Sequence, residues 1–243
     1  MGKVKCSESI AFRAMSSMSD DNTLMSIPAL LDAFQDISGI HAYNTGISGP
    51  DLEAKGIFWI VSKLKLRIMR RPAENEELTL STWIQKPDRA STERDCSLTK
   101  GDELLAYSRC IWAALRRDNG RIEQMSSFYP DSTFDIPRPD EEPFAKIGKD
   151  FSDAEEIGRY TIRSIDIDRG GHMNNVNYVR TVLGCFSCAE LAGMDIKGLD
   201  MQFLHQCYEG ETVSIRKRET DRGMEIGVLN GEGKTAFAAA IIS

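Results

Sequence analysis

Two helical stretches 149 residues apart carry the same apolar spacing, and this constrains the fold more than any other feature of the chain. In "SIPALLDAFQDISGIHAYN" the apolar positions Ile27, Leu30, Phe34 and Ile37 follow at steps of 3, 4 and 3, the spacing of one helix face. In "NVNYVRTVLGCFSCAELAG" Val176, Val179, Leu183 and Phe186 repeat those steps. Ser26 is the expected cap of the first helix, with Pro28 tolerated in its first turn, and Asn175 stands at the cap position of the second. A short strand-like run precedes each helix ("AFRAM", "YTIRS") and four follow it. They are "GIFWIVSKLKLRIM", "ELTLSTWIQ", "STERDCSLTK" and "LLAYSRCIWAAL" in the first half, and "GLDMQFLHQC", "ETVSIRKRE", "MEIGVLN" and "KTAFAAAIIS" in the second. The fold class is therefore α+β, with each half a mostly antiparallel sheet curled round a central helix. Any α+β chain can offer two amphipathic helices, but the constant offset and shared strand count favour duplication.

Half of the eight prolines fall between Pro130 and Pro143, in an acidic, aperiodic segment. It divides the chain into an N-terminal domain over residues 1–125, a linker over 126–156 and a C-terminal domain over 157–243. No run has the length of a signal peptide or a membrane span, so a complete cytoplasmic protein is expected. The six cysteines lack metal-ligand spacing, and free thiols in a reducing compartment follow. A net charge of −7 argues against a nucleic-acid partner.

The halves are not chemically equal. "SIDIDRGGHMNNVNYV", residues 164–179, holds one of only three histidines, together with aspartates, glycines and asparagines. At the same offset, Asp168, His172, Asn174 and Asn175 fall on Ser19, Thr23, Met25 and Ser26. The first half keeps the helix and a cap but not the acid, the imidazole or the paired amides. A carboxylate and a histidine beside a helix start can activate water, and free helix N–H groups can polarise a carbonyl. Those are the parts needed to hydrolyse an acyl compound without a serine or cysteine nucleophile. The plainer alternative is that Asp168 closes a turn, Asn175 caps a helix and His172 packs.

The run D-x-x-G-H-M-N-N-x-x-Y, Asp168 through Tyr178, resembles the signature at the central helix of hotdog-fold thioesterases. With the doubled architecture, the chain resembles the acyl-acyl carrier protein thioesterases of plants and bacteria over nearly its whole length. "GIFWIVSKLKLRIMRRPAENEELTLSTWIQKPDRASTERDCSL" and "SRCIWAALRRDNGRI" are similar to the strands of that family's first hotdog. The resemblance implies two tandem hotdog domains. It also implies hydrolysis of the thioester between a fatty acyl chain and the phosphopantetheine of acyl carrier protein, with no metal and no cofactor. Its catalytic positions fall on Asp168, His172, Asn174 and Asn175. Where plant members place an asparagine two residues before the histidine, Gly170 stands here. Their strand acid falls on Gln206, followed by Cys207. An amide is no general base, so the base or nucleophile role moves to Asp168, and Gln206 is left to orient water or substrate. On an extended strand Cys207 and His205 share a face, and Cys207 reads as a structural cysteine.

The resemblance also places the acyl chain in the first hotdog, and Phe34, Ile37, Phe58, Trp59 and Ile60 are the candidate lining, with Met15, Met18 and Met25 near the helix entry. His41 and Tyr43 read as trim of the first helix. Lys63, Lys65 and Arg67 alternate along one strand, and Arg70, Arg71, Arg116, Arg117 and Arg216–Arg218 add charge, a candidate rim for an acidic carrier protein. A homodimer is left open. The rival functions are an acyl-CoA thioesterase, a hotdog dehydratase lacking its proline-rich histidine motif, and a non-catalytic acyl-thioester binder.

Overall fold

The computed structural model describes residues 3–221 and 223–243, which divide into two units, Met1–Glu142 and Pro143–Ser243. In the first unit, strands β1 (Ser7–Arg13), β2 (Ile57–Ile68), β3 (Glu77–Ile84), β4 (Thr92–Lys100) and β5 (Glu103–Arg116) form an antiparallel sheet in the order β1-β3-β4-β5-β2. Helix α1 (Ile27–Asn44) packs on it, and α2 (Gly49–Glu53) follows. The start of α1 is set by Ser26, whose hydroxyl oxygen accepts the Ala29 N–H at 3.3 Å, and by Pro28 in the first turn. Its stripe Ile27, Leu30, Phe34 and Ile37 is buried. Fully burying one such side chain stabilises by about 1.5–3 kcal/mol, so this stripe fixes the helix to the sheet.

The second unit repeats the plan. Strands β6 (Glu155–Thr161), β7 (Gly198–Phe203), β8 (Thr212–Thr220), β9 (Gly223–Leu229) and β10 (Thr235–Ile242) pair antiparallel in the order β6-β8-β9-β10-β7. Counted from its own first strand, each unit therefore has the same strand order. The duplication inferred from helix spacing extends to the sheet topology, and each unit is a hotdog. Helix α3 (Asn175–Leu183) buries Val176, Tyr178, Val179, Val182 and Leu183. The Tyr178 ring stacks on Phe237, 5.3 Å between centroids.

Two details of this helix differ from the sequence reading. Its cap is Asn174, whose side-chain oxygen accepts the Val176 N–H at 2.8 Å, and Asn175 is the first helical residue. The stretch is also not one helix. It stops at Leu183, and α4 (Cys188–Met194) starts afresh. Ser187 and Glu190 exchange reciprocal bonds there, Ser187 N–H to Glu190 Oε2 at 2.8 Å and Glu190 N–H to Ser187 Oγ at 3.3 Å. Phe186 lies between the two helices, half-buried.

The segment over 126–156 is no free spacer. The boundary between the units falls inside it, and β6 begins at Glu155. Arg138 reaches Glu93 at 2.6 Å in the first unit. In the second, Ile147 and Phe151 form a core cluster with Leu229 and Ala238. Phe151 lies over Gly227, where an added Cβ would sit 2.4 Å from the ring. Its proline content reflects a backbone without strand partners, not a lack of packing. Among the described residues no helix is long and apolar enough to cross a membrane.

Candidate active site

Residues 166–174 form a tight turn at the entrance to α3, and the main chain builds it. Asp168 N–H donates to the His172 carbonyl (3.0 Å), Gly171 N–H to the Asp168 carbonyl (3.0 Å), and Asn174 N–H to the Asp166 carbonyl (2.8 Å). Gly171 takes φ +79°, a conformation that costs glycine little. Beneath the turn, the buried carboxylate of Asp166 accepts the Tyr160 hydroxyl at 2.8 Å and the Arg163 N–H at 2.7 Å. The Asn177 side-chain amide donates to the Asp166 carbonyl at 3.1 Å. Asp166 and Asn177 went unnoticed in the sequence, although both lie within the quoted run.

Asp168 and His172 project from this turn with their side chains 27% and 20% exposed, sheltered yet reachable. Asp168 Oδ1 accepts the Gly170 N–H at 2.7 Å, while Oδ2 stands 3.9 Å from His172 Nδ1. That is beyond hydrogen-bond reach, so the two groups do not bond to each other directly. His172 Nδ1 is 3.3 Å from the Met173 carbonyl, which can only accept, so Nδ1 carries the proton. In the neutral ring Nε2 then keeps its lone pair. Asn174 is committed to capping. The N–H and side chain of Asn175 make no hydrogen bond among the described residues and are available as donors.

Gln206 is not on a strand. β7 ends at Phe203, and residues 204–208 form a loop that the Met173 N–H ties to the turn through the Cys207 carbonyl at 2.8 Å. The Gln206 Oε1 accepts the Tyr208 hydroxyl at 3.1 Å. Cys207 is buried, and burial pushes its thiol up, so it is a packing residue beside Tyr178 and no thiolate nucleophile.

The first unit contains a cavity of about 200 Å3 on the helix side of its sheet. Gln35, Ser38, Gly39 and Ala42 of α1 line it, opposite Trp59, Thr92, Arg94 and Trp112, with Ile47 and Tyr129 closing the side. Of the five residues expected to line an acyl slot, Trp59 lies on this cavity and donates its indole N–H to the Ile47 carbonyl at 2.8 Å. Phe34 and Ile37 are instead packed in the core, 4% and 0% exposed. Strand alternation turns Phe58 and Ile60 to the opposite sheet face from Trp59, and the Arg117 guanidinium covers the Phe58 ring at 5.5 Å. Met25 is fully buried and Met15 half-exposed, and neither borders the cavity. His41 is not trim. It is 1% exposed and bonded to Arg94.

The basic rim does not exist as read. Lys65 is fully buried, its ammonium bonded to Asp140 (3.0 Å) and to the Glu142 carbonyl (2.7 Å). Arg70 pairs with Glu76 and Glu103, Arg71 with Asp20, Arg116 with Glu123, Arg117 with Glu53, and Arg218 with Glu225. Their charges are largely answered by the chain's own carboxylates.

Two successive hotdog units, one bearing a carboxylate and an imidazole at the mouth of its helix, define a tandem hotdog protein with a chemically distinct second unit. A family model of the acyl-ACP thioesterase N-terminal domain matches residues 8–130, and one of the C-terminal domain matches residues 150–242. The chain belongs to the acyl-ACP thioesterase family. An oleoyl-acyl carrier protein thioesterase, chloroplastic, of Coriandrum sativum is 23% identical over 238 residues, which are 90% of this chain and 64% of the relative. A chloroplastic acyl-[acyl-carrier-protein] hydrolase of Cuphea viscosissima is 22% identical, covering 88% of this chain and 56% of its own. The chain therefore spans somewhat less than two thirds of these relatives' length. In fold it is similar to an acyl-ACP thioesterase of Bacteroides thetaiotaomicron (TM-score 0.79, 20% identity, 97% of each chain). It is similar too to the 12:0-ACP thioesterase of Umbellularia californica (TM-score 0.82, 16% identity, 100% and 98% of the chains).

Proposed function

We propose that the protein hydrolyses the thioester between a fatty acyl chain and acyl carrier protein, releasing free fatty acid and the carrier thiol. The observation that carries this reading is the Asp168–His172 pair, held at the start of α3 and partly open to solvent, in a chain of this family. Asp168 acts as general base. Its Oδ2, free of the backbone bond that engages Oδ1, takes the proton of a water attacking the thioester carbon. The His172 Nε2 lone pair accepts a hydrogen bond from that water and orients it. The Asn175 N–H, at the positive end of the α3 dipole, donates to the carbonyl oxygen as it becomes an oxyanion. The C–S bond then breaks and the thiolate leaves, taking up a proton. Gln206 borders this turn through its loop and contributes an amide but no base.

Carrier protein is the proposed thiol carrier because the family model and the named relatives are of that class. The test is thiol release from matched acyl-carrier-protein and acyl-CoA thioesters, with wild type beside Asp168→Asn. Loss of a general base should lower kcat by about 10²–10⁴-fold. Near-normal turnover by a folded Asp168→Asn protein would refute the assignment. Comparable release from CoA would move the carrier to CoA.

A further inference from the structure

Arg94 lies on β4 with Thr92 and Cys96 on the face turned towards α1, and it borders the cavity of the first unit. It is 7% exposed. No carboxylate pairs with it among the described residues. Asp95, its neighbour in sequence, points to the other sheet face, where it bonds Tyr107 and Gln85 and faces Arg138. The guanidinium makes two hydrogen bonds, both through Nη1, to His41 Nδ1 at 2.9 Å and to Thr82 Oγ1 at 3.3 Å. Arginine only donates, so His41 Nδ1 accepts, and its Nε2–H donates to the Lys5 carbonyl at 3.0 Å. His41 is thus neutral, and burial followed by the charge of Arg94 holds its pKa below the ordinary histidine value. The histidine positions the guanidinium without neutralising it. A buried cation with no counter-ion is expensive, and a bound anion would offset that cost.

Trp112, which also lines the cavity, carries an unsatisfied donor behind its ring face. The indole nitrogen of Trp112 is buried with no hydrogen-bond partner. An orphaned buried donor costs about as much as a lost hydrogen bond. Trp59, Ile47 and Ala42 supply an apolar stretch of wall suited to methylenes, beside the polar Gln35, Ser38 and Thr92. At about 200 Å3 the space exceeds the ~150 Å3 engineered cavity that accepts benzene, so it is no packing defect. Gly39 stands at its rim in mid-helix, with nothing within 4 Å of where a Cβ would be. Glycine there costs the helix about 1 kcal/mol relative to alanine and leaves the mouth open.

We propose that this cavity reads the carboxylate end of an alkyl chain, with the Arg94 guanidinium as its donor. Two sources share that chemistry. One is a free fatty acid entering head first, the product of the proposed reaction. The other is an acyl thioester whose far end carries a carboxylate. The choice of an acyl chain rests on the proposed hydrolase function; the anion-reading geometry does not.

Binding is followed by tryptophan fluorescence, since Trp59 and Trp112 line the cavity. The probes are dodecanoate and methyl dodecanoate. Wild type should bind the acid at least tenfold more tightly than the ester. Arg94→Met should erase that preference, and Gly39→Leu, which fills the mouth and leaves Arg94 alone, should weaken both ligands. Equal binding of acid and ester by wild type overturns the proposal, whatever the variants do. So does acid binding unchanged in Arg94→Met. Thiol release from dodecanoyl and 11-carboxyundecanoyl thioesters then separates the sources. An Arg94-dependent preference for the carboxyl-tipped thioester, at least tenfold in kcat/KM, identifies a substrate tip. Equal hydrolysis with competitive inhibition by dodecanoate identifies the product. If neither thioester is hydrolysed while acid and ester are still discriminated, the hydrolase reading falls and the carboxylate site stands.

Discussion

Gly170 separates catalytic geometry from stability in a single substitution. It lies on the exposed rim of the turn, and its φ is outside the left-handed region, so an alanine backbone is unstrained there. A Cβ at this position would lie 2.7 Å from His172 Nε2 and 2.9 Å from Asp168 Oδ1. Ordinary contact begins at 3.4 Å, so the two side-chain ends must retreat by 0.7 and 0.5 Å. Both lie at the exposed rim and can shift, Asp168 by stretching its bond from the Gly170 N–H, and the cost in stability should stay within about 0.5 kcal/mol. The cost in rate is larger, because a displacement near 1 Å at reacting groups can cost about 10²-fold. Gly170→Ala should therefore lower kcat/KM for thiol release by about 10- to 100-fold with Tm nearly unchanged. Gly171→Ala is the control. Its Cβ meets nothing within 4 Å, but φ +79° strains any side-chain-bearing residue, so stability falls by about 1–2 kcal/mol. Wild-type kcat/KM in Gly170→Ala would show that the approach of Asp168 and His172 across Gly170 has no part in turnover.

Elsewhere, Gly227→Ala should destabilise by about 1–3 kcal/mol in urea unfolding, because its Cβ would enter the Phe151 ring. Combining it with Phe151→Ala should add less than the sum of the two, and strict additivity would exclude the clash. Asn174→Ala should cost about 1 kcal/mol through loss of the α3 cap, and an unchanged urea midpoint would reassign the cap. Glu76 holds Arg70, Lys100 and the Ala73 N–H, and the Arg70 bond above all lowers its pKa from 4.5 to about 2. A depressed carboxylate stabilises fully above its unfolded pKa and loses that contribution as pH falls towards the folded one. The stability gap between wild type and Glu76→Gln should be about 1–2 kcal/mol at pH 7, shrink below pH 4.5 and close near pH 2; a gap independent of pH would contradict this.

Much of this architecture was legible in the chain because helix and strand periods are local. The α1 stripe and the strand count need only neighbouring residues. The break after Leu183 was also legible, since Gly184 and the Ser187–Glu190 pair signal a stop and a restart, but the apolar spacing through Phe186 overrode them. Strand alternation alone would have separated Trp59 from Phe58 and Ile60. What no local pattern carries is which segment covers a face. Lys65 alternates with leucines as a surface lysine does, yet residues 140–142 lie over it. Arg94 and His41 meet across 53 positions, on a strand and a helix whose docking no spacing foretells. In the turn, Asp168 and His172 were visible as chemistry, whereas the Asp166 support beneath them depends on Tyr160 and on the fold of the turn itself.

The turn that carries Asp168 and His172 is closed mainly by main-chain bonds and by Asp166 from below, and of the two side chains it presents Asp168 adds one bond, from the Gly170 N–H. Most of the loop's path rests on its own backbone and not on them. Shape and chemistry can then drift apart over evolutionary time. A descendant could lose or exchange the proposed reactive pair in one or two steps, still fold and still dock α3 on its sheet. The second unit is in this sense a mount for interchangeable chemistry.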